Sequence, residues 1–96
     1  RRLDRYQTLA KMAQLACAML EEALGALLES NTEKARRAIE LDAEVDSLCR
    51  DLMLELLAQM QDNPRHIRAC VAAQSVALAL ERIGDHTTNL AERVLF

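Results

Sequence analysis

The chain has 96 residues, of which 51% are hydrophobic, yet it contains one Tyr, one Phe and no Trp, with two Gly and one Pro. This composition favours helices and leaves too little turn chemistry for a sheet. The net charge of -3, with acidic and basic residues interspersed, argues against nucleic-acid binding. No signal peptide is visible, and no apolar run approaches the roughly 20 residues that cross a bilayer.

The first predicted helix covers about residues 3–29, where apolar residues recur at three- and four-residue steps. These residues are Leu9, Ala13, Ala16, Leu20, Ala23, Leu24 and Leu27. The pattern breaks at residues 30–33. Either Ser30 or Asn31 can cap the next helix, and Ser30 with Glu33 has the spacing of a capping box.

The second predicted helix extends to about residue 61, and its inward stripe contains Leu41, Val45, Leu48, Leu52, Leu56 and Met60. Asn63 and Pro64 then supply a cap and a first-turn proline, so we predict that the third helix opens at Pro64. Short connections make long neighbouring helices antiparallel. The predicted fold is therefore all-α, an antiparallel up-down-up three-helix bundle formed by residues 1–96. Because the sequence stops at Phe96 without a cap, we expect a segment of a longer chain or one half of an oligomeric assembly.

The third predicted helix is apolar on two sides. One face contains Ala72, Val76, Ala79, Ile83, Leu90 and Val94. The opposite side, which becomes polar toward its end, contains Ile67, Cys70, Val71, Gln74, Ala77, Leu78, Glu81, Asp85, Thr88 and Glu92. Two helices of the same chain can cover one face, so the other face predicts a second bundle, from a dimer or a tandem repeat, or a partner protein.

The three cysteines, Cys17, Cys49 and Cys70, are odd in number and lack Cys-x-x-Cys spacing. Each falls on a position that the helical pattern assigns to the apolar side of its helix. We interpret them as core thiols rather than as ligands or redox centres, which favours a reducing cytoplasmic setting.

Two carboxylate pairs at i, i+4 spacing interrupt apolar stripes: Asp42 with Asp46, and Glu81 with Asp85. Both pairs lie about 17–21 residues from the turn between their helices, so antiparallel packing would bring them together. Four carboxylates in one place repel one another unless a cation neutralises them. Oxygen ligands suit Mg²⁺, Ca²⁺, Mn²⁺ or iron better than zinc.

The spacing leaves a second interpretation open, in which the carboxylates form ion pairs with Arg50, Arg68, Arg82 or Arg93, or simply face solvent. Gly84, between Glu81 and Asp85, costs about 0.8–1.0 kcal/mol against Ala in a helix. Its presence indicates a need for room, either for close helix packing or for the approach of a ligand. His66 and His86 lie off the carboxylate line, and we expect neither to be a ligand.

Residues 81–92 (ERIGDHTTNLAE) closely resemble the signature of the PhoU family, the phosphate-transport regulators of bacteria. Residues 62–65 (DNPR) and 41–46 (LDAEVD) are similar to the family pattern in the same order and spacing. The resemblance covers essentially the whole chain. Family members typically carry two three-helix repeats, and this chain is most similar to the C-terminal one. Thr87 and Thr88 stand where an Ala-Thr pair is more usual, which leaves the acids untouched.

The family's metal motif, an acid followed four positions later by Asp, corresponds here to both carboxylate pairs. Asn89 stands where the family's following asparagine does. The resemblance implies that Asp42, Asp46, Glu81, Asp85 and Asn89 bind iron, as an ion or a cluster, or another divalent metal such as magnesium, manganese or zinc. A second repeat or subunit would supply further ligands.

The resemblance also implies a cytoplasmic adaptor that connects a phosphate ABC transporter to a sensor histidine kinase and represses the phosphate-starvation response when phosphate is plentiful. No residue set combines a nucleophile, a base and an oxyanion donor, so we expect no enzymatic activity. We expect a homodimer or a higher oligomer. An alternative within the family is the cytoplasmic domain of a sodium/phosphate cotransporter. Outside it, the alternatives are a carboxylate-rich metal-storage or oxidase bundle, although Glu-x-x-His motifs are absent, and a dimerisation bundle without a ligand.

Overall fold

Three long helices make up nearly all of the structure, a computed structural model that describes residues 3–96. Helix α1 covers Arg5–Glu29, α2 covers Thr32–Asp62, and α3 covers Ile67–Leu95 after a short 3-10 turn at Pro64–His66. The predicted all-α fold is confirmed; Arg1 and Arg2, which the predicted domain included, lie outside the described residues. None of the helices described is both long and apolar enough to cross a lipid bilayer.

The first two helices begin and end at local signals. Asp4 caps α1 by accepting two backbone N–H groups of the first turn. The chain leaves α1 through Ser30, whose φ of 52° lies in the left-handed region, and the N–H of Asn31 then donates to the carbonyl of Ala26 at 3.0 Å. Of the two predicted caps, Asn31 is the one used: its side chain accepts the N–H of Lys34 at 3.2 Å.

The connection between α2 and α3 follows the predicted Asn-Pro signal with one difference. The Asn63 side chain accepts the N–H of Arg65 at 3.0 Å, and Pro64 occupies the first position after this cap. The turn that Pro64 opens is a 3-10 turn, and the α-helix itself starts at Ile67. The predicted turn at Pro64 is therefore confirmed, but the α-helix begins three residues later than predicted.

Contacts at one end of the bundle fix the helix directions. Arg5 Nη1 donates to Gln59 Oε1 at 2.6 Å, and Cys70 Sγ lies 3.7 Å from the same oxygen, so the beginnings of α1 and α3 meet the end of α2. Helices α1 and α3 are therefore parallel to each other and antiparallel to α2, which is the predicted up-down-up order. The bundle measures 50 × 22 × 18 Å.

Buried side chains form two clusters along this long axis. The main core consists of Met12, Leu15, Met19, Val45, Cys49, Leu52, Leu56, Cys70, Ala73 and Ala77. The second cluster consists only of alanines: Ala23, Ala26, Ala35, Ala38 and Ala91. Small side chains let helices approach closely, and the partly buried Ile39, Val94 and Leu95 pack against these alanines.

The residues that helix α3 buries all have small side chains. Its buried residues are Cys70, Ala73, Ala77, Gly84, Thr87 and Ala91. Of the face that the sequence grouped as apolar, Ala72, Val76, Ala79 and Ile83 are exposed, and Leu90 and Val94 are half-buried. A helical wheel weights apolar residues equally on both sides, whereas close packing of three helices selects the side whose side chains are small.

In α1 too, the buried face differs from the one that the sequence pattern predicted. Met12, Leu15 and Met19 occupy the core, while Leu20 and Leu24, which the periodicity picked out, are largely exposed. Cys49 and Cys70 are buried, as predicted, but Cys17 is exposed. The core-thiol interpretation is therefore wrong for Cys17, which lies one step, about 100°, around the helix from a buried position.

Candidate metal centre

The four predicted carboxylates meet where α2 packs against α3. Asp42 and Asp46 project from α2 and are half-buried, Glu81 of α3 is also half-buried, and Asp85 is exposed. Along the bundle they lie between the main core and the alanine cluster. The charges of Asp46 and Asp85 act on both Asp42 and Glu81, so the two pairs form one cluster, as their equal distance from the turn predicts.

Glu81 is the most perturbed carboxyl group of this cluster. A hydrogen bond in which protonated Glu81 donates to Asp46, together with burial and the charges of Asp46 and Asp85, raises the pKa of Glu81 to about 7. Near neutral pH, Glu81 is therefore divided between its protonated and ionised forms. The negative charges beside Glu81 favour its protonated form.

Asp42 is perturbed in the same direction. Burial, followed by the charges of Asp46 and Asp85, raises the pKa of Asp42, and the nearby hydroxyl of Thr88 opposes the shift. That hydroxyl falls short of hydrogen-bonding geometry. Among the residues described, Asp42 Oδ1, Glu81 Oε2 and Thr88 Oγ1 are buried without a hydrogen-bond partner. An unsatisfied buried polar atom costs about 1–3 kcal/mol, which a donor or a cation would offset.

The ion pairs that the sequence left open are not formed. Within residues 3–96, none of the four carboxylates lies within 4.0 Å of a basic group. Arg50 acts instead on Cys49, whose pKa it lowers slightly. The repulsion between the carboxylates is therefore not compensated by any arginine or lysine of the described chain.

Two neighbours belong to the cluster although the predicted site did not include them. Thr88 lies two turns after Glu81 on α3, and Cys49 lies one turn after Asp46 on α2. Burial, then the charge of Glu81 and a hydrogen bond to it, raises the pKa of the Cys49 thiol to about 11. The i, i+3 and i, i+7 spacing from the acids is the signal that would have identified both.

The remaining candidates lie at the edge of the cluster or away from it. Asn89 is exposed one turn after Asp85, and its side chain forms no hydrogen bond with the carboxylates of residues 3–96. His86 is exposed on the outer side of α3 beside Arg82. His66 lies in the 3-10 turn at the far end of the bundle. Neither histidine lies within the carboxylate cluster.

Gly84 makes room for the carboxylate of Asp42. A Cβ atom at Gly84 would stand 2.8 Å from Asp42 Oδ1, closer than non-bonded carbon and oxygen atoms approach, whereas the nearest atoms of Met19 would be 3.8 Å away. The close contact is thus with the predicted ligand and not with a packed apolar side chain. The missing side chain of Gly84 allows Asp42 to lie against α3.

We expect Gly84→Ala to displace Asp42 and to change stability only slightly. Alanine favours the helix by about 0.8–1.0 kcal/mol, but its methyl group must push aside the end of the Asp42 side chain. In an Asp42→Ala background the obstacle is gone, so the same change should give the full gain. Urea unfolding of the four proteins measures this difference, and NMR titration should show the pKa of Asp42 returning toward its ordinary value. Equal gains in both backgrounds would rule out this role for Gly84.

The donor set fits a hard divalent cation. It consists of carboxylate and hydroxyl oxygens, some buried and unpartnered, beside a cradle that a Cβ atom would fill. Within residues 3–96, no three His, Cys, Asp or Glu side chains converge on one position as ligands. Binding would therefore require rotation of the carboxylates, and the oxygen donors by themselves do not select one metal.

Comparison with known proteins gives consistent relatives. The PhoU domain matches residues 9–94. A phosphate-specific transport system accessory protein PhoU homolog of Rhizobium meliloti is 39% identical over 92% of this chain and 37% of its own length. Proteins of the same name from Zymomonas mobilis and Deinococcus radiodurans are 38% and 32% identical over 88% and 98% of this chain.

This chain spans less than half of those relatives, 36% of the Zymomonas mobilis protein and 44% of the Deinococcus radiodurans protein. Within that part, the similarity covers all three helices and both carboxylate pairs. The domain match and the relatives, which align with 88–98% of this chain, identify the same family. The chain belongs to the PhoU family.

Proposed function

We propose that this chain is a three-helix repeat of a regulator of phosphate uptake, and that it acts by binding rather than by catalysis. The observation that carries the proposal is the PhoU match over residues 9–94, because the relatives are named as accessory proteins of phosphate-specific transport. Since the chain spans less than half of those relatives, the regulatory activity belongs to the longer protein that such a repeat would form part of.

The chemistry of the cluster supports binding. The thiol beside the carboxylates, Cys49, has a pKa of about 11, so it is protonated at neutral pH and is a weak nucleophile. The charge of the neighbouring Asp46 acts on Glu81, whose pKa is raised to about 7. Such a cluster gains stability from a cation and offers no activated nucleophile for group transfer.

As a cytoplasmic adaptor, the protein would connect a phosphate ABC transporter to a sensor histidine kinase by docking through helix faces. Large apolar side chains on the outer sides of all three helices support this mode of action: Leu20, Leu24, Leu28, Leu54, Leu57, Val71, Val76, Leu78 and Ile83. Leu20, Leu24 and Leu28 lie one turn apart on the same side of α1, and apolar surface that is contiguous in this way marks interaction sites. The exposed leucines of α1 and α2 support assembly into a homodimer or higher oligomer.

The carboxylate cluster would hold a divalent metal. Asp42, Asp46, Glu81 and Asp85 are the proposed ligands, with Asn89 at the exposed edge. A bound cation would neutralise the repulsion between α2 and α3 and hold the two helices together at this level. The surface that the adaptor presents would then depend on metal occupancy.

One experiment with two readouts tests the proposal. The full-length parent protein, purified without chelator, should contain a stoichiometric divalent metal by mass spectrometry, and it should repress a phosphate-starvation reporter in a bacterium that lacks its own PhoU. Asp42→Asn combined with Asp85→Asn should lose most of the metal and most of the repression. Glu44→Gln combined with Glu40→Gln removes two exposed carboxylates of α2 and should change neither readout.

The two readouts separate the parts of the proposal. Unchanged metal content in the Asp42→Asn, Asp85→Asn protein would show that the carboxylates are not the ligands. A parent protein that fails to repress the reporter, although it is folded and loaded with metal, would overturn the regulatory role itself.

A further inference from the structure

The outer face of α3 carries a basic row that no acid of the described chain neutralises. Arg68, Arg82, His86 and Arg93 fall within about 40° of one another on the helix, and all four are exposed. None of the three arginines forms an ion pair within residues 3–96. This row contrasts with the net charge of -3 for the whole chain.

A shallow depression of about 530 Å³ interrupts the basic row at mid-helix. Its lining residues are Ser75, Leu78, Ala79, Arg82, Ile83 and His86. The small residues Ser75 and Ala79 leave space, and Leu78 and Ile83, 59% and 44% exposed, flank it. The depression is therefore apolar at its sides and bounded at one end by the basic groups of Arg82 and His86.

We propose that this outer face of α3 docks an acidic amphipathic helix of a partner protein. One apolar side chain of that helix would enter the depression between Leu78 and Ile83, and carboxylates about one turn away would pair with Arg82 and His86. The inference rests on the proposed function only in assuming that the regulator acts by docking, and it names the surface and the chemistry of the partner.

The order of residues on the face favours a protein helix over a membrane. A helix that lies on a bilayer has apolar residues at the centre of its buried face and basic residues at the edges. Here the basic groups lie along the centre, and the apolar residues Val76, Leu78 and Ile83 flank them. A flat lipid surface would meet the arginines before it met any apolar side chain.

The same order argues against a second copy of this chain docking face to face. In a two-fold symmetric contact, the same patch meets itself. The row of Arg68, Arg82 and Arg93 would then oppose an identical row, and like charges would be brought together. An acidic partner meets no such repulsion, and it would neutralise arginines that the described chain leaves unpaired.

A designed peptide tests the proposal on the purified chain. The probe is a fluorescein-labelled helical peptide of about 20 residues, with leucines along one stripe and glutamates beside them. Its matched control carries lysine at every glutamate position. Fluorescence anisotropy should show at least ten-fold tighter binding of the glutamate peptide, and the preference should shrink as salt is raised.

Three variants of exposed residues locate the binding site, and circular dichroism checks that each remains helical. Arg82→Glu should weaken the glutamate peptide at least ten-fold and bring the lysine peptide to equal or tighter binding. Ala79→Leu should fill the depression and weaken both peptides. Arg36→Glu, on the outer side of α2, should leave binding unchanged.

Several outcomes would overturn the inference. Two concern the peptides: equal binding of the glutamate and lysine peptides, or full binding of the glutamate peptide by both Arg82→Glu and Ala79→Leu. The other two concern different occupants of the surface. They are binding to phosphatidylglycerol vesicles that is stronger than binding to the peptide, or self-association in sedimentation, in either case abolished by Arg82→Glu. Failure of the peptide to bind, with repression intact in the reporter strain, would remove this surface and leave the regulatory role standing. Loss of repression with intact peptide binding would remove the regulatory role and leave this docking surface standing.

Discussion

Leu52→Ala should lower the free energy of unfolding by about 2–5 kcal/mol, the range for deleting a buried leucine side chain. Leu52 is 0% exposed at the middle of α2, within the main core. Five of the ten side chains in that core are Met or Leu, and four are alanine or cysteine, so Leu52 supplies a large share of its apolar volume. Long helices joined by short turns cannot collapse into the cavity, so the loss should lie toward the upper part of the range.

Leu54→Ala is the matched control. It makes the same chemical change two residues away on the same helix, but Leu54 is 70% exposed. Urea unfolding should show a change within about 0.5 kcal/mol for this variant. For a domain of this size, Leu52→Ala should lower the melting temperature by roughly 10 °C or more. Similar losses for the two variants would mean that α2 turns a different face to the core.

Raising the pH from 5 to 8 should destabilise the metal-free protein by about 1–2 kcal/mol. The pKa of Glu81 is about 7 in the folded state and 4.5 ordinarily, so between these values the folded protein binds more protons than the unfolded chain. The contribution of Glu81 to stability is therefore fully present below pH 4.5 and is lost as the pH rises through 7. The full difference would be about 3 kcal/mol, and the partial exposure of Glu81 reduces it by solvent screening.

Urea unfolding at a series of pH values, with chelator present, measures this effect. Glu81→Gln should flatten the profile and stabilise the protein at pH 8, while Glu44→Gln, which is exposed on α2, should follow the parent. Under the proposed metal site, a divalent cation at pH 8 should restore stability in proportion to the logarithm of its concentration. An unchanged slope in Glu81→Gln would show that this carboxyl group does not titrate in the range stated.

Local signals made the helices predictable. Asn31 and Asn63 accept backbone N–H groups at the beginnings of the segments that follow them, and Pro64 opens its turn without losing a hydrogen bond. These interactions involve residues two or three apart, so they can be recognised from sequence. The difference between a 3-10 turn and an α-helical start after Pro64 is small in energy, and the sequence did not resolve it.

The meeting of the two carboxylate pairs was also predictable, because antiparallel helices of known rise place residues at equal distance from a turn at the same level. The reason for Gly84 was not. Close helix packing and room for a ligand predict the same residue, and the sequence did not show that the atom nearest to its missing Cβ is Asp42 Oδ1 of α2, 2.8 Å away. The role of Cys49 and Thr88 likewise depended on the packing of α2 against α3.

The sequence alone therefore determined the three helices, their antiparallel order and the level at which the four carboxylates meet, since each follows from local hydrogen bonding or from helical spacing. Only the tertiary structure decided which face of α3 is buried and that no arginine of the described chain reaches the carboxylates. Both outcomes depend on how closely the helices approach one another. Small residues such as Ala73, Ala77 and Gly84 permit the closest approach, which turns Val76, Ile83 and the basic row outward.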